Sequence, residues 1–269
     1  VPVERLGSTF AMVRTKSTTA DLEGGIVIAT EDNTQIFLNG STVATATINQ
    51  GQWYRIAGTA YQQQGTSGHY NMLVSTSKNV YLYQLVAVDD SNATCGFNYI
   101  PPLNCFLPRK IDEIGFVNQM PNISSTVTLK LNIITEAGAI VTVNGASPSA
   151  AEGPFPLTGN ANWVTYAVPN VSGNLTVISN KAVTAGINGG YSTGGYGGYF
   201  AGFNSVPAIA KQTGDCIPGI ILEVNDGYDT YQWFLNNVAI PGAVSNTYTP
   251  LVAGNYTVKV TMGTCTPLT

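Results

Sequence analysis

Asn79-Val80-Tyr81-Leu82-Tyr83-Gln84-Leu85-Val86 is a run of aromatic and branched aliphatic side chains. Such residues suit a pleated, half-buried surface, so the run reads as a buried or edge β-strand. Working outward, Gly25-Ile26-Val27-Ile28-Ala29 and Gln35-Ile36-Phe37-Leu38 flank the turn-prone Glu31-Asp32-Asn33. Asn39-Gly40 follows, a dipeptide that tolerates the positive φ of tight hairpins. Period-two alternation recurs along the chain and no helical stripe interrupts it. The sequence therefore predicts an all-β protein of short strands folded as sandwiches.

Four blocks recur in the same order about 105 residues apart. Ala29-Thr30-Glu31 to Leu38-Asn39-Gly40 returns as Ile134-Thr135-Glu136 to Val143-Asn144-Gly145. Gln52-Trp53-Tyr54 is echoed by Asn162-Trp163-Val164, and Asn71-Met72-Leu73-Val74 by Asn174-Leu175-Thr176-Val177. Gly96-Phe97-Asn98-Tyr99-Ile100-Pro101 returns as Gly202-Phe203-Asn204-Ser205-Val206-Pro207. Residues 1–120 and 121–211 thus read as two copies of one β-sandwich unit, packed as a single module.

A different pattern begins at residue 212. Cys216, Trp233 and Cys265 are spaced like the markers of an immunoglobulin-like sandwich, with Tyr231-Gln232-Trp233-Phe234-Leu235 as the central strand. Tyr256, in Asn255-Tyr256-Thr257-Val258, stands where a tyrosine corner would. Residues 212–269 are expected to form this small Ig-like domain around Trp233. Two disulfides are expected from the four cysteines, which lack zinc-site spacing. Three connectivities are possible, and local pairing is favoured: Cys95 with Cys105, and Cys216 with Cys265.

These same stretches carry a family resemblance. Residues 212–269, through Tyr231-Gln232-Trp233, Ile240-Pro241-Gly242-Ala243 and Ala253-Gly254-Asn255-Tyr256-Thr257-Val258, resemble Ig-like modules repeated in very large surface proteins of Bacteroidetes. Residues 1–211 resemble the IgGFc-binding-protein N-terminal-like domain. That likeness rests on Ile28-Ala29-Thr30-Glu31-Asp32-Asn33-Thr34, Ser77-Lys78-Asn79-Val80, and Cys95 with Pro102-Leu103-Asn104-Cys105-Phe106-Leu107-Pro108. The resemblance implies a flavobacterial-type secreted or surface protein, exported by the type IX system, with adhesion or gliding motility as its theme.

Composition limits the alternatives. Only 10% of residues are charged, and 15 acidic against 11 basic residues give a net charge of −4. No basic footprint for nucleic acid is present, and no stretch approaches the ~20 apolar residues of a membrane helix. The chain begins at Val1 without a signal peptide and reads as a processed or excised piece of a longer product. Catalysis finds little support. His69, the only histidine, lies in the Gly/Ser-rich Gly65-Thr66-Ser67-Gly68-His69-Tyr70 and is expected to be an exposed loop residue. Glu31, Asp32, Asp89, Asp90, Asp112 and Glu113 could supply a carboxylate pair, but acidic residues beside turns usually cap or solvate them. Asp89-Asp90-Ser91-Asn92 and Asn225-Asp226-Gly227-Tyr228-Asp229 are oxygen-rich enough for calcium, yet lack EF-hand spacing and fit Asx turns equally well. No enzyme activity, cofactor or metal site is expected.

The distinctive segment is Gly189-Gly190-Tyr191-Ser192-Thr193-Gly194-Gly195-Tyr196-Gly197-Gly198-Tyr199-Phe200. Tyr and Gly together suit an adaptable contact surface, so Tyr191, Tyr196, Tyr199 and Phe200 are candidate binding residues. They suit equally well a long hairpin whose aromatics fold back onto their own sheet. The expected function is an extracellular structural or adhesive surface protein, in contact with other copies, neighbouring modules or glycans. The alternative is a glycan-recognition module of a larger secreted enzyme.

Overall fold

The computed structural model describes residues 6–15, 22–65, 68–87, 93–119, 127–191, 194–200 and 207–263. Strands dominate these residues, interrupted by a 3₁₀ turn at Gly58–Ala60, and the expected all-β, sandwich-type fold is what forms.

The first sandwich contains β1 (Gly7–Val13), β2 (Gly24–Ala29), β3 (Thr34–Leu38), β4 (Ala46–Ile48), β5 (Trp53–Ala57), β6 (Gln62–Gln64), β7 (His69–Ala87) and β8 (Ala93–Tyr99). The strand recognised from Asn79 onward is the second half of β7, which is 19 residues long. The first half of β7 pairs with β1, β3 and β6, and the second half with β2 and β8. One strand thereby contributes to both walls around a core of Phe10, Met12, Val27, Ile36, Met72 and Leu82.

The second sandwich contains β9 (Lys110–Ile114), β10 (Thr128–Glu136), β11 (Val141–Val143), β12 (Phe155–Pro156), β13 (Trp163–Pro169), β14 (Leu175–Ser179), β15 (Val183–Tyr191) and β16 (Gly194–Phe200). Its sheets run β12-β13-β10-β15-β16 and β11-β14-β9. Leu129, Leu131, Ile133, Val177, Val183 and Ala185 fill the space between them. Both sandwiches use the Asn-Gly turn in the same way. Asn39 and Asn144 take φ of 53° and 48°. Asn39 Oδ1 accepts the Leu73 N–H at 3.1 Å, and Asn144 Oδ1 accepts the Thr176 N–H at 2.7 Å.

Two compact units result. One holds residues 1–104 and 109–203, and the other holds 105–108 and 204–269. The second unit takes Cys105–Pro108 as well as the C-terminal stretch. Its strands are β17 (Ala210–Thr213), β18 (Ile221–Glu223), β19 (Thr230–Leu235), β20 (Val238–Ala239), β21 (Thr247–Tyr248) and β22 (Tyr256–Thr261), in sheets β17-β18-β21 and β20-β19-β22. Trp233 is wholly buried among Phe106, Tyr228, Val258 and Val260, and its indole N–H donates to the Ser245 carbonyl at 2.8 Å. The Tyr256 hydroxyl donates to the Val252 carbonyl at 2.7 Å, the upstream bond of a tyrosine corner.

The cysteines require a correction. Cys105 is disulfide-bonded and packs against the Trp233 cluster. Cys216 is an exposed free thiol, so the expected Cys216–Cys265 bridge does not form. Its turn closes through the backbone instead, with Ile220 N–H donating to the Cys216 carbonyl at 3.2 Å, and the side chain is left in solvent. The Cys95 side chain and Cys265 lie outside the described residues.

Candidate binding face

Within the first unit, one face of the second sandwich's larger sheet is buried and polar. Asn132, Thr165, Thr184 and Asn188 are at most 2% exposed. Asn71, on β7, donates to the Pro156 carbonyl and to Thr165 Oγ1, both at 2.8 Å. Gln64 donates to Asn71 Oδ1 and Thr158 Oγ1. The Lys130 ammonium donates to the carbonyls of Arg14 and Thr15. Burial lowers its pKa to about 8, with Glu23 opposing the shift and Arg14 adding to it. These bonds tie the two sandwiches together.

His69 belongs to this layer, which corrects the expectation of an exposed loop residue. It is the first residue of β7 and only 5% exposed. Phe155 stacks on its ring at 4.1 Å, and its Nε2 lies 2.8 Å from Thr165 Oγ1. Burial, helped by the Lys130 charge, pushes its pKa from 6.5 down to about 3. Among the described residues no carboxylate orients this neutral imidazole, whose ring nitrogen is bonded to a threonine within the layer.

The Gly/Tyr segment forms the β15–β16 hairpin. Tyr196 and Phe200 pack against the second core, and Tyr199 against the first. The Tyr196 hydroxyl donates to the Val117 carbonyl. The glycines make room for this arrangement. A Cβ on Gly186 would sit 2.9 Å from the Tyr199 ring, and one on Gly197 would sit 2.4 Å from the Asn98 amide. Three of the four candidate contact residues thus have packing partners, and the Tyr191 side chain lies outside the described residues.

The carboxylates do not assemble either. Glu31 pairs with Lys78 at 3.3 Å, Asp32 accepts the Gln50 N–H at 3.1 Å, and Asp112 pairs with Lys110. The Lys110 hydrogen bond holds the Asp112 carboxyl below the usual range. Asp229 accepts the Gly263 N–H at 2.6 Å, and the Tyr231 hydroxyl donates to the Asn225 carbonyl, closing that turn with protein groups. Asp89 and Asp90 lie outside the described residues, as does the Glu113 side chain. Among the described residues, no three His, Cys, Asp or Glu side chains gather as metal ligands.

The sequence reading missed the feature that stands out on the surface. Cross-strand register places Trp53, Ile28 and Tyr81 in one row on the outer face of the first sandwich. Arg55, Ile26, Tyr83 and Tyr99 form the next row, and Ala57, Gly24, Leu85 and Phe97 the third. Trp53 is 64% exposed and Phe97 60%. Ile26, Ile28, Tyr81, Tyr83, Leu85 and Tyr99 are half-buried, while the residues between them on β2 and β7 face inward. Tyr83 meets Phe97 and Tyr99 edge-on, with centroids 6.4 and 5.9 Å apart. Burial pushes the Tyr99 hydroxyl up to about 12, with Tyr83 and Tyr81 adding to the shift. The available signal was Tyr81, Tyr83 and Leu85 themselves, every second residue of a strand whose other face is also mostly apolar.

A family model described as IgGFc binding protein matches residues 1–189, which takes in this face and the polar layer behind it. The chain belongs to the IgGFc-binding protein family. Among curated proteins, no sequence matches this family member. Solved structures with some likeness include a lectin of Pleurotus ostreatus in complex with GalNAc, at 14% identity and TM-score 0.22, covering 72% of this chain and 75% of that one. The apo form of a Pleurotus ostreatus lectin aligns at 12% identity and TM-score 0.22, covering 91% of this chain and 86% of that one. At these scores neither bears on the site.

Proposed function

We propose that this chain is a non-enzymatic extracellular binding module, acting in adhesion or surface assembly, and that it engages its partner through the β5-β2-β7-β8 face. The exposed aromatic rows carry this reading. Contiguous apolar surface of this kind is costly to leave in water, and where a soluble protein keeps it, it marks an interaction site. Trp and Tyr dominate such sites because each gives a large, rigid contact area at small entropic cost. Family membership supports a protein or glycan ligand, since the family is described by its binding to IgG Fc. The finer reading, a flavobacterial-type surface protein exported by the type IX system, rests on the sequence resemblance of residues 1–211 and 212–269. The four recurring blocks and the matched Asn39 and Asn144 clamps support reading the two sandwiches as copies of one unit.

The test is attachment of protein-coated beads to a mucin-coated surface. A Trp53→Ser/Phe97→Ser double variant should lose attachment about tenfold or more, and an Ile178→Ser variant should keep it. Ile178 is 46% exposed on the outer sheet of the second sandwich, between Thr142 and Lys110. Full attachment by a folded double variant would overturn the proposal.

A further inference from the structure

The ligand class can be narrowed, on the assumption that the face just described is the binding site. We infer that the β5-β2-β7-β8 face takes an uncharged polysaccharide chain, laid across the strands.

Size is the first argument. With half a spacing added around its edge, the face is four strands wide at ~4.8 Å each and three rows deep at ~6.8 Å each, or roughly 400 Å². A stable protein–protein contact buries about 800 Å² on each partner, twice what this face offers. The patch is large enough to be functional and too small to hold a folded protein or a second copy of this chain by itself.

Shape is the second argument. A small-molecule site is concave and encloses most of its ligand. This face is the outside of a sheet, with its two most exposed rings at opposite corners: Trp53 in the first row on β5, and Phe97 in the third row on β8. In the third row Gly24 contributes no side chain and Ala57 only a methyl. Such a surface can cover only one side of a ligand, so useful affinity requires one that reaches from ring to ring. An extended chain of several sugars does so, and a single sugar does not.

Charge is the third argument. Of the eleven positions in the three rows, one is charged, Arg55. A polyanion or an acidic peptide would find one cation and a field of rings. A sugar ring instead presents an apolar C–H face and a rim of hydroxyls, which match aromatic side chains with polar tips at Tyr81 and Tyr83.

Affinity gel electrophoresis of the full chain, in gels containing a neutral glucan, galactan or mannan, or hyaluronan as the acidic control, tests the inference. At least one neutral polymer should retard the protein and hyaluronan should not. The retardation should be indifferent to salt between about 0.05 and 0.5 M, because no ion pair is involved, and the monosaccharide should not compete. Trp53→Ser and Phe97→Ser should each weaken it about tenfold, Trp53→Phe should recover part of the loss, and Ile178→Ser should change nothing. Retardation that survives both serine substitutions in folded protein overturns the inference, as does failure of every neutral polymer. In the latter case the mucin assay separates the two proposals. Attachment that needs Trp53 and Phe97 but survives chemical deglycosylation of the mucin leaves the binding face standing and makes its ligand a protein. Attachment that ignores both residues removes the face itself.

Discussion

Trp53 and Trp163 occupy matching places in two recurring stretches of sequence, yet Trp53 is 64% exposed and Trp163 8%. The sheets around them differ in the same direction. In the first sandwich, the face carrying Ile26, Ile28, Tyr81, Tyr83, Leu85 and Phe97 looks into solvent. In the second, the face carrying Asn132, Thr165, Thr184 and Asn188 is buried. An antiparallel sheet ordinarily turns its polar side outward; here both faces depart from that pattern. Burying amides and hydroxyls is costly unless they are hydrogen-bonded: Asn71, Gln64 and Thr165 have such partners at the junction, whereas the Asn132 amide, Thr184 Oγ1 and Asn188 Nδ2 have none among the described residues. Exposing rings is unfavourable to solubility, and a ligand offsets it. The outer sheet of the second sandwich supplies the contrast. Thr142, Ile178 and Lys110 share a row there and Asp112 pairs with Lys110, an ordinary solvated surface.

The comparison breaks first at Asn71. If the polar layer holds the sandwiches together, Asn71→Ala takes a hydrogen bond from buried Thr165 Oγ1, from the Pro156 carbonyl and from the Gln64 amide, which keeps Thr158, and should lower stability by about 3 kcal/mol in urea denaturation. A loss below about 1 kcal/mol would mean the layer is merely tolerated.

Acid should act at the same junction. Folded, His69 stays neutral down to about pH 3, whereas unfolding returns it to 6.5. Through that window the unfolded chain binds the extra proton, so stability present above pH 6.5 is lost as pH falls toward 3. The loss should be on the order of a few kcal/mol, and a pH series of thermal melts should show it flattened in His69→Gln.

On the exposed face the expected effect falls on attachment and not on stability. Trp53→Ser and Phe97→Ser should each move stability by no more than about 0.5 kcal/mol while removing attachment. A melting temperature that fell by many degrees would make the rings packing residues and erase the contrast with the junction. The smallest effect belongs to the second unit. Cys216→Ser should leave the melting temperature unchanged and remove a thiol that reacts with Ellman's reagent in the native protein.

Much of this was legible in the chain, in a patterned way. Local chemistry announced itself: Asn39-Gly40 and Asn144-Gly145 adopt the positive φ their side chains permit, and Trp233 fills a core as a Trp between β-formers should. What failed depended on distant residues. His69 follows Gly65 and Gly68, whose positive φ makes the turn into β7, and nothing nearby foretells the covering ring of Phe155, 86 positions later. Composition left Gly189 to Phe200 open between an adaptable contact surface and a hairpin folded back onto its own sheet; the hairpin forms, and glycine there allows strands to approach Tyr199 and Asn98 closely. Hydropathy alone would also bury Tyr83 and expose its neighbour Gln84. Gln84 is 0% exposed because its amide reaches the Val13 carbonyl and the Tyr61 hydroxyl. Burial raises the Tyr61 pKa well above the usual value.

The long strand β7 also sets an order of events. β1, β2, β3, β6 and β8 all pair with it, and the other pairings in their sheet are β2 with β5 and β3 with β4. As the chain emerges from the ribosome or from a translocation channel, only those two short pairings can close before residue 69 arrives. Non-local pairing of this kind is slow to nucleate. The first sandwich therefore remains an open chain until Ala87 is free, a state that suits a protein threaded across a membrane before it folds.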